Sequence, residues 1–401
     1  MEARLRIAAF AFAFLLCLAL NLEAKAELAV SANDGKQVHP DDAIAAPVPD
    51  TISVLDIRSG KAKILGSIDA PASMIGPPAS VAVALDGSFA LITCSQQLVD
   101  GKLAPDDVVS VIDLSIPSNP RVSQTLHAGP GASGVSISPN GKLALVASTG
   151  DDSITVFAIS GKALSPLGKV SVEPKSGPTD VVFSRDGRIA VVVGRGNSKL
   201  MLLSIRGTAV TNTGTEFLSG MSPYSAAVTR DGKYVITNNL RGALVPAQSA
   251  IAARPSERGT VQRRPSSLSM IDIKTGAIVA SVETGALPEG VVLSPDGRYL
   301  AVDSANGSPN NPSDPSFNKL FARLEIYAVG EGTLVPLAQA AAGHWCQGMT
   351  FSKDGRTILL QCAAEKEIET FYFDGKTLVR NLDLTLFMGA RPGAIATALS
   401  R

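Results

Sequence analysis

The sequence is poor in several residue types, and each shortage excludes a class of protein. Aromatic residues make up 5% of the 401 positions, and 36 Lys and Arg only balance 36 Asp and Glu, so no basic surface for a nucleic acid is indicated. The three His and four Cys show no HxxxH, HExxH or CxxC spacing. With 45% hydrophobic and 18% charged residues, we expect a globular chain with no metal, no cofactor and no nucleic-acid partner.

Long apolar runs are also absent, except at the N-terminus. Arg4 and Arg6 precede an apolar stretch from Ile7 to Leu20, which is short for a bilayer span and is followed by the small-residue site Ala24-Lys25-Ala26. This pattern predicts a signal peptide over residues 1–26, with an uncleaved anchor as the alternative. We therefore expect residues 27–401 to form a periplasmic or secreted protein that is monomeric and has no membrane span.

Gly (36) and Pro (25) are plentiful, and they accompany a repeated pair of short apolar strands around a turn. The Asp-Gly and Asn-Gly pairs suit the positive φ angles of tight hairpin turns. Third and fourth strands follow, so that four antiparallel strands recur every 45 to 65 residues, which is typical of a β-propeller blade. The six repeated segments are Ser80-VAVALDG, Gly134-VSISPNG, Asp180-VVFSRDG, Ser225-AAVTRDG, Gly290-VVLSPDG and Gly348-MTFSKDG.

The two ends of the chain supply a further blade. A lone inner strand, Gly393-AIAT, follows the sixth unit, whereas three N-terminal strands lack an inner partner: Leu28-AVSAN, Thr51 to Ile57 and Lys63 to Ile68. Pairing these strands would close the ring and remove its open edges. The sequence therefore predicts an all-β fold over residues 27–401, a seven-bladed propeller with four antiparallel strands per blade and a last blade built from both termini.

The segments YVITNN, SVIDL and LSPDGRYLAV resemble the YVTN-type repeat of secreted bacterial propellers, which is related in fold to the lactonase-like and amine-dehydrogenase heavy-chain propellers. The resemblance covers nearly all of residues 27–401. The lactonase branch implies an inner-ring histidine and charged residues around a central cleft, but here only the link into the sixth blade contains a His. The amine-dehydrogenase branch implies a separate subunit that carries the cofactor.

Long insertions mark one rim of the predicted ring. We call the rim with the blade-to-blade links and the second-to-third strand loops the loop face, and the rim with the first-to-second strand turns the turn face. The loop face carries the four long insertions, and such loops on a rigid scaffold usually bear binding residues, although tolerated surface loops are the alternative. The insertions are Asp34 to Asp50, Ser95 to Asp106, Leu240 to Ser266 and Ala305 to Lys319.

Candidate ligand-binding residues come from the links that enter the inner strands. On blades four to seven these positions and their neighbours are large and polar, and we predict that they contact a ligand at the channel mouth: Tyr224, Glu289, Trp345, Gln347 and Arg391. Glu289 would accept a hydrogen bond or act as a base, Arg391 would hold a carboxylate or phosphate, and Trp345 would stack. Ordinary packing around the channel is the alternative.

Other polar residues of the loop face are less informative. His39, His127 and His344 belong to three separate blades, so we interpret them as scattered surface histidines rather than metal ligands. Five arginines in the third insertion indicate either an anionic partner or, as we prefer, a solvated loop: Arg241, Arg254, Arg258, Arg263 and Arg264.

Two functions fit these features. The first is an exported, non-catalytic scaffold that binds a small ligand or a periplasmic protein on the loop face. The alternative is a lactonase-like hydrolase that opens a cyclic ester, with Glu289 and His344 assisting and Arg391 holding an anionic substrate. We favour binding because the sequence offers no convincing set of nucleophile, base and orienting group.

The cysteines allow one covalent prediction. Cys346 and Cys362 flank the Asp354-Gly355 turn almost symmetrically, so a hairpin places them opposite each other and favours a disulfide in an oxidising compartment. Cys94 occupies the matching position of the first blade without a Cys across from it. We expect Cys94 to remain a buried free thiol.

Overall fold

The computed structural model describes residues 26–36, 47–58, 62–242, 265–309 and 311–398. The predicted signal peptide up to residue 25, His39 and the arginines from Arg254 to Arg264 lie outside these ranges. Every long regular element within them is a β-strand, and they contain no helix able to cross a membrane.

Seven four-stranded antiparallel sheets form the blades, as the repeat predicts. In blades one to six the inner strand comes first in the chain and each hairpin adds the next strand outwards. In chain order the strands are β1 Leu28–Asp34, β2 Thr51–Asp56, β3 Lys63–Asp69, β4 Val81–Val83, β5 Phe89–Thr93, β6 Gln96–Val99, β7 Lys102–Pro105, β8 Val108–Asp113, β9 Arg121–His127, β10 Ala132–Ile137, β11 Leu143–Ser148, β12 Ser153–Ser160, β13 Ala163–Ser171, β14 Pro178–Phe183, β15 Ile189–Gly194, β16 Lys199–Arg206, β17 Ala209–Leu218, β18 Pro223–Val228, β19 Tyr234–Asn239, β20 Ser267–Asp272, β21 Ile278–Glu283, β22 Pro288–Leu293, β23 Tyr299–Ser304, β24 Arg323–Gly330, β25 Thr333–Ala341, β26 Cys346–Phe351, β27 Thr357–Cys362, β28 Glu367–Phe373, β29 Leu378–Phe387 and β30 Arg391–Thr397.

The seventh blade is built from both ends of the chain, and this prediction is confirmed. Its strand order is β3-β2-β1-β30, so the inner strand is C-terminal and the other three are N-terminal. The antiparallel register runs from Ala29 opposite Thr397 to Asp34 opposite Arg391. The closure pairs β30 with β1 and completes the seventh blade with the same number of strands as the others.

The core consists of the layers between neighbouring blades. The second strand of a blade is covered on both faces, and for this reason strands such as β11 and β27 are continuous, wholly buried runs. Leu145 of blade two and Val192 of blade three, for example, belong to one buried cluster. The outermost strands are largely exposed, as in β13, because no further strand or sheet covers them.

The turns of the turn face share one hydrogen-bond pattern. In blade three, Ser184 Oγ donates to Asp186 Oδ1 (2.6 Å), which also accepts from the Arg188 amide (3.0 Å), while Gly187 takes a φ of 67°. Blades two, four, five and six repeat this Ser/Thr to Asp/Asn contact. The hydrogen bonds of the carboxylate are thus made within the turn itself, so this carboxylate is directed into the turn rather than toward other charged groups of the turn face.

Two local features differ from the sequence-based expectation. Most inner strands begin two residues earlier, and a register shift just after each start leaves one or two residues out of the ladder. The insertion in blade one is also not simply a loop, because β6 and β7 pair as a separate two-stranded hairpin.

Blade six contains the disulfide that the hairpin geometry predicts. Cys346 and Cys362 are opposite each other in the β26–β27 register and are joined by a disulfide. Cys94 is buried and free, and burial raises the pKa of its thiol well above the usual range. It is therefore held as a neutral thiol at physiological pH.

Candidate functional site

The bulges of the inner strands place one side chain per blade at the mouth of the channel on the loop face. The register shifts leave Thr179 unpaired in blade three, Tyr224 and Ser225 in blade four, and Glu289 in blade five. Bridging side chains fix these bulges, since Thr179 Oγ1 donates to the Tyr224 carbonyl at 2.8 Å. Of the positions that the sequence indicates, Trp345 precedes its inner strand. The other four lie within the strands rather than before them: Tyr224, Glu289, Gln347 and Arg391.

A cavity of about 460 Å³ opens at this mouth, and it is formed by blades one to four. Two arginines, Arg195 and Arg241, project from the second-to-third strand loops of neighbouring blades. No carboxylate lines it among the described residues, and apart from Ile75 the remaining residues are glycines or carry hydroxyl or amide groups. Its lining comprises Ile75, Gly76, Ser95, Gln96, Ser133, Thr149, Gly177, Thr179, Arg195, Gly196, Ser222 and Arg241.

Arg195 connects the cavity to the ionisable residues of the channel. Its guanidinium carbon lies 5.1 Å from the ring centre of Tyr224, and its charge acts on Glu289. Burial raises the pKa of Glu289 to about 7, although Arg195 opposes this shift. Glu289 is therefore close to half-ionised at neutral pH, as suits a residue that exchanges a proton.

Asp303 lies behind Glu289 on the second strand of the same blade. Its Oδ1 accepts from the Gly290 amide at 2.9 Å, and its Oδ2 has no hydrogen-bond partner among the described residues. Burial, and then the charge of Glu289, raise the pKa of Asp303 well above its usual value. The two carboxyl groups therefore oppose each other's ionisation, and the pair resists carrying two negative charges.

The link into blade one explains why the mouth opens toward blades one to four. Gln347 of blade six donates from Nε2 to the Met74 carbonyl at 3.2 Å, and Tyr224 reaches the Gly76 backbone from the other side. Met74 also packs directly against Gly393 of the closing strand. Residues 73–76 therefore cross the mouth and cover the channel side of blades six and seven.

The residues predicted to contact a ligand on blades four to seven consequently fall into two groups. Tyr224 and Glu289 lie beside Arg195, whereas Gln347, Trp345 and Arg391 do not line the cavity. The Arg391 guanidinium is 5.9 Å from the Trp345 ring centre, so these two side chains contact each other. The cavity instead uses Arg195 and Arg241 as its cations.

His344 is a structural residue of blade six. It is 3% exposed, its Nδ1 contacts Glu365 and its Nε2 contacts the Phe317 carbonyl. The Phe317 ring stacks on it at 3.7 Å between centres. With both nitrogens engaged, His344 holds the fourth insertion against its blade rather than assisting at the channel.

The remaining ionisable candidates do not form a metal centre within the described ranges. His127 is largely exposed and pairs with Asp107 (2.7 Å). No group of three His, Cys, Asp or Glu side chains comes together in the part of the chain that the structure describes.

Arg195 was missed because the sequence reasoning considered only the links as sources of mouth residues. The second-to-third strand loops reach the same rim, and Gly194-Arg195-Gly196 directly follows a second strand. A cation between two glycines at that position is the signal that would have found it. Arg241 was noted only as part of a solvated tract, yet it lines the cavity.

Fold and site together define the class of protein: it is a seven-bladed β-propeller whose channel mouth carries arginines and lies beside a buried acid. The family model "Lactonase, 7-bladed beta-propeller" matches residues 93–310, more than half of the chain, and the chain belongs to this family. Among curated proteins, Antigen Lp49 of Leptospira interrogans is 27% identical over 110 residues, 27% of this chain. This match spans 24% of that protein's length.

Solved structures show the same fold at low sequence identity. A candidate 6-phosphogluconolactonase from Bacteroides fragilis gives a TM-score of 0.67 at 17% identity, covering 93% of this chain and 98% of its own. A functionally unknown protein from Desulfotomaculum acetoxidans gives 0.64 at 14%, covering 94% and 100%. At such identities the likeness is one of fold alone.

Proposed function

We propose that this chain, as an exported propeller, binds a small polar anion of the size of a phosphorylated sugar acid in the cavity on the loop face. The observation that carries the proposal is the pair Arg195 and Arg241 in a cavity that no described carboxylate lines. Guanidinium groups bind carboxylates and phosphates through paired hydrogen bonds. The small hydroxyl groups around them suit the alcohol groups of such a ligand.

Neighbouring contacts support a cationic site that is preorganised. Arg195 rests on the buried Tyr224 ring, which fixes its side chain before any ligand arrives. Gly177 in the lining leaves room for a ligand to approach the backbone. The charge of Arg195 acts on the neighbouring Glu289, whereas no carboxylate among the described residues lines the cavity beside either arginine.

Hydrolysis of a cyclic ester is a second candidate, and the pKa of Glu289 favours it. With a pKa of about 7, Glu289 would take a proton from a water molecule that attacks the ester carbonyl. It would return this proton to the ring oxygen as the ring C–O bond breaks, which gives a hydroxy acid. Arg195 would stabilise the charge that develops on the carbonyl oxygen. His344 and Arg391 have no part in this version, because both nitrogens of His344 are engaged within blade six and Arg391 contacts Trp345.

Calorimetric titration of the purified mature chain with 6-phosphogluconate, gluconate and inorganic phosphate tests the binding proposal. We expect 6-phosphogluconate to bind most tightly, and Arg195→Gln to weaken it by about tenfold or more through loss of charged hydrogen bonds. Arg188→Gln is the matched control, since it removes the same charge from the turn face of the same blade. Equal weakening by both variants, or no binding of 6-phosphogluconate, would contradict the proposal.

The hydrolase version has a separate readout. Opening of 6-phosphogluconolactone above its spontaneous rate should depend on Glu289, and Glu289→Gln should abolish it while leaving 6-phosphogluconate bound. Binding without turnover in the parent protein would remove the hydrolase and leave the binding protein.

A further inference from the structure

A second cavity of about 320 Å³ lies at the opposite mouth of the channel, on the turn face. The ends of inner strands from six blades surround it, and most of its lining is aliphatic or aromatic. The size is that of a small-molecule pocket rather than a packing defect. Its apolar walls include Val83, Leu85, Ile137, Phe183, Val228 and Leu293.

Two arginines are the charged residues among the described lining of this cavity, which otherwise consists of apolar residues and four hydroxyl-bearing ones. Arg185 and Arg230 occupy equivalent positions in the turns of blades three and four, and both line the opening. Arg230 donates to the Pro295 carbonyl and packs its stem on Gly297. Arg185 forms no hydrogen bond or ion pair with any described residue.

The acids nearest in sequence do not neutralise these arginines. Asp186 accepts from Ser184 Oγ and the Arg188 amide, and Asp231 accepts from Thr229 Oγ1 (2.7 Å) and the Lys233 amide (3.1 Å). Each carboxylate is thus hydrogen-bonded within its own tight turn. Partial burial and the charge of Arg230 both lower the pKa of Arg185, which indicates two like charges facing each other.

We propose that the turn-face cavity binds a linear aliphatic carboxylate of medium chain length, with its carboxylate between Arg185 and Arg230 and its chain inside the channel mouth. An anion would relieve the repulsion between the two guanidinium groups, and the apolar walls would remove the chain from water. A purely polar anion such as a sugar phosphate would leave those walls unused. The loop face, lined by hydroxyl groups and glycines, has the opposite preference.

Titration of the full mature chain with decanoate tests this proposal, and decanol and acetate separate the two parts of the ligand. We expect decanoate to bind more tightly than decanol, which lacks the charge, and acetate, which lacks the chain. Affinity should rise from hexanoate through octanoate to decanoate as more apolar surface is buried. Decanol binding as tightly as decanoate would overturn the role of the arginines.

Arg185→Gln is the decisive variant, because Arg185 has no partner among the described residues whose loss would disturb the fold. It should weaken decanoate by about tenfold or more and leave decanol unchanged. Arg188→Gln removes the same charge three residues away, outside the cavity lining, and should bind decanoate as the parent does. If both variants weaken decanoate equally, or neither does, the cavity is not the binding site.

The site is independent of the proposed function on the loop face. Arg195→Gln should leave decanoate binding unchanged, and Arg185→Gln should leave 6-phosphogluconate binding unchanged. Competition between the two ligands for one site would overturn the assignment of separate mouths.

Discussion

The substitution Lys36→Met should destabilise the protein strongly, because Lys36 is the cation of a buried cluster at the seam of the ring. Its Nζ lies 2.6 Å from Asp50 Oδ2 and 3.3 Å from Asp34 Oδ1, and the side chain is 8% exposed. The two acids also accept from the Met74 and Ala72 amides. Removing one partner of a buried ion pair typically costs about 3–5 kcal/mol, since the other charge is left uncompensated.

Thermal and chemical denaturation of the purified chain measure this loss. At the usual unfolding entropy per residue, about 3–5 kcal/mol corresponds to a fall in Tm of roughly 4–6 °C for a chain of this length. Lys162→Met is the matched control, because Lys162 pairs with Asp113 at a site about one-third exposed, where a pair contributes little. Adding Asp34→Asn to Lys36→Met should recover part of the loss. Equal effects of Lys36→Met and Lys162→Met would refute the reasoning.

Two further predictions follow from buried groups elsewhere in the ring. The folded-state pKa of Glu289, about 7, lies above its ordinary value of 4.5, so ionisation of Glu289 lowers the stability of the folded protein as pH rises from about 5 to 8. The Glu289→Gln variant should therefore gain stability relative to the parent over that range. A stability difference that does not vary with pH would contradict the interpretation of Glu289 as a buried acid. The Cys346–Cys362 disulfide closes a loop with a sequence separation of 16, so its reduction should lower the free energy of unfolding in urea by about 3 kcal/mol. Two alkylatable thiols in protein purified without reductant would show that the bond does not form.

The sequence predicts the architecture well because the repeat encodes it locally. Asp-Gly turns fix each hairpin, and the apolar second strands fix which strand is buried on both sides. Even the closure follows from counting, since the lone strand at Gly393 needs the partners that begin at Leu28. The early strand starts were missed because a bulge adds a residue that no alternation pattern reveals.

The site was harder to predict because it depends on contacts between distant segments. The crossing of residues 73–76 rests on Gln347 and Gly393, which are more than 270 residues away in the chain. The sequence also shows His344 at the correct rim, but its burial depends on Phe317 folding back from the fourth insertion. The repeat shows which residues are placed around the channel, but it does not show which of them another segment of the chain covers.

The ion-pair cluster around Lys36 contacts both the closing blade of the ring and the segment that forms part of the cavity wall. Asp34 and Asp50 hold the backbone of residues 72–74, and the same link continues into Ile75 and Gly76 in the cavity wall. A ligand that contacts this wall therefore binds only the closed ring and opposes separation of the N-terminal strands from the rest. At a hundred times its Kd such a ligand adds about 2.7 kcal/mol to the free energy of opening. Protease resistance of the chain ends would then report occupancy of a cavity some distance from them.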